Sequence, residues 1–218
     1  MAVYRTLRGE GADSFVEKKS RFLGAAVPVH SVEEAQAVVA RFKKRYWDAR
    51  HNVSAYVLRG GQQHCSDDGE PQGTAGVPVL NVLLKSGVTD AAVVVTRYFG
   101  GVLLGAGGLV RAYTHAASLA LRAAGIVEMR PCLRLRLSCT YSQYGRVAAP
   151  LPAGKRLPAV GAVVDGEDFT DIVSISCRLA PEKLDALKAG LADATGGTVA
   201  PQICGEDSFA VEIEPGSS

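Results

Sequence analysis

Three carboxylates fall within four residues, Asp67, Asp68 and Glu70, on a turn shaped by Gly69 and Pro71. Like charges held this close raise one another's pKa unless a cation neutralises them. The turn therefore suits a hard cation such as magnesium, bound through oxygen. It equally suits a hydrogen-bonded frame for a basic group, or a solvated bend at Asp68-Gly69. Asp67, Asp68 and Glu70 are a metal candidate without the EF-hand spacing or its closing glutamate. No metal and no cofactor is assigned from them.

A second cluster follows in Arg97-Tyr98-Phe99-Gly100-Gly101 and Gly105-Ala106-Gly107-Gly108-Leu109-Val110-Arg111. A buried strand, then glycines, then a helix start offers free backbone N–H groups and a positive dipole end, which suits an anion. The named phosphate motifs fail on single residues. A Walker A pattern from Gly100 needs lysine at Ala106, and a dinucleotide fingerprint from Gly105 needs glycine at Val110. The same glycines also suit a tight strand-to-helix crossover.

A third cluster is basic and aromatic. Arg41, Lys43, Lys44, Arg45 and Arg50, beside Tyr46 and Trp47, could meet a phosphate backbone and stack on bases. As solvated cations they would also favour a helix C-terminus. Nucleophile chemistry finds little purchase: there is no G-x-S-x-G elbow, and His64-Cys65 sits in an expected strand whose consecutive side chains face opposite ways. His51 and His115 remain as acid/base groups or polar contacts. No catalytic residue is assigned.

The elements that must position these groups follow from periodicity. Alternation predicts strands near Val3–Leu7, Phe15–Lys19 and Arg21–Val29, with a turn at Gly9-Glu10-Gly11. Ser31-Val32-Glu33-Glu34 reads as a capping box opening a helix whose inner stripe is Ala35, Val38, Val39, Phe42 and Tyr46. Strands are expected at Val53–Arg59 and Gln62–Ser66 around a Gly60-Gly61 turn, and a helix from about Thr74 to Ser86. Ala91–Thr96 is apolar without alternation, as in a central strand covered on both faces. Leu109, Tyr113, Ala116, Ala117, Ala120, Leu121 and Ala124 mark the buried side of a long helix, and Ile126–Met129 a last strand.

Pro131 is the expected boundary between a domain at 1–131 and another at 132–208, with a disordered tail at 209–218. The second part reads as strand (Leu133–Cys139), helix (Ser142–Ala149), strand (Ala159–Val164), strand (Ile172–Leu179), helix from Pro181, and strand (Val199–Cys204). That β-α-β-β-α-β order is ferredoxin-like, and the class is α+β.

At 218 residues, 47% apolar and 21% charged, the composition is ordinary for globular domains. No apolar leader follows the first methionine and no stretch is long enough for a membrane span, so the expectation is a cytoplasmic protein with no membrane partner. Five scattered cysteines without a C-x-x-C argue against a disulfide framework or structural zinc and suggest buried, inert thiols. Residues 1–131 hold 16 Lys/Arg against 11 Asp/Glu, or +5, and residues 132–218 hold 8 against 11, or −3. An anionic partner would prefer the N-terminal part.

The run from Asp67 to Gly76, the run from Val93 to Tyr113 and His51-Asn52-x-x-Ala55-Tyr56 together resemble the IMPACT family, in its bacterial, YigZ-like form. The resemblance implies an N-terminal domain of the ribosomal protein S5 domain 2-like fold and a C-terminal ferredoxin-like domain. That pair is similar to the last two domains of ribosomal translocase elongation factors. The family has no established catalytic activity. Its eukaryotic members act in translational control by competing for the activator of an amino-acid-starvation kinase, through an RWD domain that is not expected here, so that partner is not carried over. The implied binding surface comprises His51, Asn52, Asp67, Asp68, Glu70, Thr74, Arg97, Phe99, Gly100, Gly101, Gly105, Gly107, Gly108 and Arg111.

The leading expectation is a non-enzymatic regulator of translation that binds RNA or the ribosome. The alternatives are a metal-dependent enzyme or binding protein for a phosphorylated or nucleotide-like small molecule, and a protein-interaction module.

Overall fold

The computed structural model describes residues 2–148, 156–157 and 162–212. They divide into two compact units, one from Tyr4 to Met129 and one from Arg130 to Phe209, with the first residues grouped with the second unit and those after Phe209 with the first.

In chain order the N-terminal unit holds β1 (Tyr4–Leu7), β2 (Gly11–Glu17), β3 (Ser20–Pro28), α1 (Val32–Arg45), β4 (His51–Val57), β5 (Gln63–Ser66), α2 (Gly76–Ser86), β6 (Ala91–Tyr98) and α3 (Ala106–Ala124). A 14-residue strand, β7 (Ile126–Cys139), then begins. The main sheet runs β2-β3-β6-β4-β5, antiparallel at every step.

β6 is the middle strand, and both of its faces are covered. Ala91, Val93 and Val95 pack with Val79 and Leu83 of α2 and Leu109, Tyr113 and Ala117 of α3. Ala92 and Val94 face the other way, against Ala35 and Phe42 of α1. The unbroken apolar run in β6 thus follows from helices on both sides rather than from parallel pairing.

α1 starts at Ser31, whose Oγ accepts from the Glu34 N–H at 3.2 Å. The return bond differs from the expected box: the Glu34 carboxylate accepts from the His30 N–H at 2.7 Å, one residue beyond Ser31. α3 lies close on β2 and β3 because glycines face its alanines. A Cβ at Gly24 would sit 2.4 Å from the Ala116 carbonyl oxygen, and one at Gly11 would sit 2.1 Å from the Ala124 nitrogen. Gly11 therefore belongs to β2 and not to a turn.

Other boundaries differ from expectation for local reasons. β4 starts at His51, so His51 and Asn52 are ladder residues. α2 starts at Gly76, because the Thr74 hydroxyl and N–H both donate to the Pro71 carbonyl and close a turn first. β7 passes unbroken through Pro131 where two strands were expected. Met129 is the last residue paired with β1 and Leu133 the first paired with β10 (Val173–Leu179), so the proline falls between the two ladders.

The C-terminal unit continues with α4 (Tyr141–Ala148), a two-residue β8 (Arg156–Leu157), β9 (Ala162–Phe169), β10, a 3-10 turn (Pro181–Lys183), α5 (Leu184–Thr195) and β11 (Gln202–Glu212). Its strand order is β11-β7-β10-β9-β8. Its core joins Leu135, Leu137, Ile175 and Leu179 to Leu187 and Leu191 of α5. β11 reaches Glu212, through part of the stretch expected as tail, and residues 213–218 lie outside the described residues. The start of the strand expected at Ala159 and the end of the helix expected at Ala149 also lie outside them.

All five cysteines are free. Burial pushes the Cys177 thiol up to about 11, an inert setting. Cys204 is exposed and Cys65 half-buried, so uniform burial does not hold. Among the described residues no helix is long and apolar enough to cross a membrane.

Candidate functional site: a cleft where the carboxylate turn meets the glycine loop

Sheet register builds the floor of this site. Phe22 of β3 and His51 of β4 both pair with Arg97 of β6, so the three side chains stand in a row on one face. The Arg97 guanidinium lies 5.5 Å from the Phe22 ring centroid and 5.5 Å from that of Phe99.

Glu70 comes down onto this row from the carboxylate turn. Its Oε1 accepts from Arg97 Nη1 at 2.6 Å and from the Tyr113 hydroxyl at 2.8 Å. The Arg97 and Glu70 side chains are only 6% and 4% exposed. Burial, then the Glu70 carboxylate, pushes the Tyr113 hydroxyl far above its ordinary range, so it stays a donor. His51 Nδ1 lies 2.8 Å from the Asp68 carbonyl oxygen. A carbonyl only accepts, so Nδ1 carries a proton. The other ring nitrogen faces Glu70 at 3.9 Å.

The other two carboxylates have separate work. Asp67 accepts from the N–H groups of Gly73, Ala75 and Gly76 at 2.9, 3.1 and 2.8 Å. It thereby caps α2 from a distance, since Ala75 at the N-cap position has no side-chain cap of its own. Asp68 pairs with Lys43 Nζ at 2.6 Å and accepts from the Asn52 N–H at 2.6 Å. Asn52 in turn accepts from the Thr96 hydroxyl at 2.7 Å. The three carboxylates diverge to different donors, and among the described residues no group of His, Cys, Asp and Glu could hold a metal ion. The carboxylate turn is a frame for basic and backbone donors, and the metal candidate is set aside.

Partial burial would raise the pKa of Asp67, but the three N–H bonds outweigh it and hold its carboxyl below the usual range. A depressed folded-state pKa stabilises above the unfolded value and is lost as pH falls through the folded one. Asp67→Ala is expected to cost about 0.5–2 kcal/mol at pH 7, as for a lost helix cap. The gap to the wild type should close as pH drops below about 4. Urea titrations at pH 7 and pH 3 check this; an equal gap at both would contradict it.

The glycine loop arrives from the other side. A Cβ at Gly100 would lie 2.0 Å from the Lys19 carbonyl carbon, so only glycine lets the loop pass the β2–β3 turn. Ser20, fully buried, holds it there: its Oγ accepts from the Gly100 N–H at 3.2 Å and from Arg97 Nη2 at 3.4 Å. Gly101 and Gly105 take positive φ. Gly105 caps α3 with no side-chain acceptor and no acidic residue in the first turn. The first intrahelical bond runs from Leu109 N–H to the Gly105 carbonyl, so the N–H groups of Ala106, Gly107 and Gly108 have no intrahelical partner.

Between turn and loop lies a cavity of about 400 Å³. Arg50, His51, Arg97 and Glu70 line its polar side, and Phe99, Leu103 and Leu109 its apolar side, with Gly105 and Ala106 at the head of α3. Arg111 is not part of it. That side chain lines a second recess of about 270 Å³ with Lys18, His115 and Phe15. Glu70 and Arg97 thus join the carboxylate turn to the end of β6, while Arg111 stands apart.

The basic cluster also divides. Arg41 pairs with Glu10 at 2.8 Å, Lys43 is taken by Asp68, and Arg45 lies over the Tyr46 ring. Lys44 and Arg50 are exposed, and Trp47, the chain's only tryptophan, is 82% exposed. Sequence reasoning missed Ser20, Phe22 and Leu103, and placed Tyr113 in the core without its polar role. A tyrosine in a buried stripe needs a partner for its hydroxyl, which was the available signal for Tyr113.

The Impact N-terminal domain family matches residues 18–121, which span this cleft, and a domain of unknown function, DUF1949, matches residues 137–198. The chain belongs to the IMPACT family. It is 37% identical over 186 residues to the IMPACT family member YigZ of Escherichia coli (strain K12), covering 84% of this chain and 88% of that protein. It is 44% identical over 146 residues to YvyE of Bacillus subtilis (strain 168), covering 66% and 67%. Protein IMPACT of Bos taurus is 34% identical over 96 residues, covering 41% of this chain and 30% of that protein. A solved structure described as "Crystal structure of an hypothetical protein" superposes with a TM-score of 0.58 at 32% identity, over 94% of this chain and 98% of that one.

Proposed function

We propose that this protein is a non-enzymatic regulator of translation that works in the cytoplasm by binding RNA or the ribosome through its N-terminal unit. The observation that carries this reading is the cleft itself. Arg50 and an uncapped helix N-terminus share one recess with an apolar wall, a combination that suits a phosphate-bearing polymer. The +5 balance of residues 1–131 favours the same partner class. In this reading the N-terminal unit is an S5 domain 2-like fold. The C-terminal unit, with strand order β11-β7-β10-β9, is ferredoxin-like, a pairing similar to that in translocase factors.

The test is filter binding to ribosomes and to structured RNA across a salt series, with Arg50→Ala and Arg111→Ala, both exposed positions. Binding should weaken as salt rises, and Arg50→Ala should flatten the log–log slope by about one phosphate contact. No binding at low salt, or slopes unchanged in both variants, would refute the reading.

A further inference from the structure

We propose that the cleft receives one nucleotide of an unpaired RNA strand, its phosphate at the head of α3 beside Arg50 and its base against Phe99 and Leu103. This rests on the RNA-binding reading above and narrows it to one feature of the RNA.

Size selects the occupant first. A recess of about 400 Å³ lies at the small end of the range of about 300–1,000 Å³ for small-ligand sites. It is of a size for one nucleotide, whereas an RNA duplex keeps its bases paired and stacked inside the helix and has no single base free to enter. Polarity then sets the orientation. Gly105 and Ala106 bring the head of α3 into the cleft wall, and that first turn has no side-chain acceptor and no carboxylate. Arg50 is exposed at the same cleft and has no ion pair among the described residues.

A second observation is independent of the helix end. Arg97 lines the cleft while its side chain is 6% exposed, and its Nε–H has no hydrogen-bond partner among the described residues. Buried donors are normally satisfied, so this guanidinium carries donor capacity into the cleft floor that its protein partners do not use up. The nearest negative charge, Glu70, is already matched by Arg97 Nη1 and the Tyr113 hydroxyl, so Arg50 leaves the cleft net positive.

The opposite wall is apolar. Phe99 is 42% and Leu103 82% exposed, and the Phe99 ring is backed by the Arg97 guanidinium. An exposed aromatic face beside a phosphate site is how unpaired bases are held, and it is of no use to a stacked duplex.

Calorimetric titration decides the matter, with four probes: an unpaired RNA hexamer, the same sequence in a blunt duplex, a nucleoside monophosphate and inorganic phosphate. The hexamer should bind at least tenfold more tightly than the duplex or either small probe. Phe99→Ala should weaken the hexamer about tenfold and leave the duplex unchanged. Leu103→Ser, at a position too exposed to threaten folding, should weaken the hexamer in the same direction. Equal affinity for hexamer and duplex, or a hexamer affinity unmoved in both variants, overturns the proposal. A monophosphate bound as tightly as the hexamer also overturns it and assigns the cleft to a free nucleotide. Ribosome binding without hexamer binding removes this inference alone, and absence of all RNA binding removes the RNA reading with it.

Discussion

Arg97→Ala is expected to lower the stability of the N-terminal unit by about 3–5 kcal/mol, the usual effect of removing one member of a buried ion pair. The alanine would leave Glu70, 4% exposed, with a charge whose remaining partners are the Tyr113 hydroxyl at 2.8 Å and the His51 ring at 3.9 Å. It would also strip the Ser20 hydroxyl of one of its two donors and leave the Phe22 and Phe99 rings without the cation between them. A loss of that size is a large share of the 5–15 kcal/mol typical of a domain. Amide hydrogen exchange along β6 reads it directly, as faster exchange from Ala91 to Tyr98. The double change Arg97→Met with Glu70→Leu should recover most of the protection, because a buried pair replaced by apolar groups of similar size is often near neutral. Protection in Arg97→Ala equal to the wild type would show that the pair does not hold the site together. Arg97 is therefore the wrong residue for a binding test, because folding and affinity would change together, and Arg50 is the right one.

Gly24→Val should cost about 1–3 kcal/mol or more, the range for side chains forced into a packed interior. The atom it meets is a backbone carbonyl, that of Ala116 at 2.4 Å, and a helix backbone cannot move aside as a side chain can. α3 must lift from β3, which also withdraws Tyr113 from Glu70. Urea unfolding followed by far-UV circular dichroism should show an earlier midpoint. Gly60→Ala is the control: a Cβ there meets nothing within 4 Å, and its midpoint should stay close to the wild type. An unshifted midpoint for Gly24→Val would mean that the helix is not seated where the structure puts it.

Much of this was legible in the residues. The apolar run in β6 showed a strand covered on both faces, and the alanine stripe of α3 showed which side is buried, because periodicity is a local signal. The density of charge and glycine between Asp67 and Tyr113 singled out a stretch that supplies most of the residues lining the cleft, with Arg50 and His51 coming from outside it. What stayed hidden depends on contacts distant in sequence. Three adjacent carboxylates look like one cluster, and only the fold sends Asp67 to the α2 amides, Asp68 to Lys43 and Glu70 to Arg97. Gly11 looks like part of a turn because the backbone of Ala124, over a hundred positions away, is invisible locally. Ser20 gave no signal, since a small hydroxyl beside two lysines is ordinary in a hairpin. β7 was read as two strands because proline is a fair local stop, and the change of ladder at that point cannot be seen from the sequence.

The position of Trp47 has a spectroscopic consequence. The lone indole is almost as solvated in the folded chain as it would be unfolded, so its intrinsic emission should start red-shifted and change little on denaturation. Fluorescence melts would then make this protein look featureless while its two cores come apart. That same steady background makes the indole a good optical reporter for anything that stacks on the turn between α1 and the cleft, since quenching there would not be confused with unfolding.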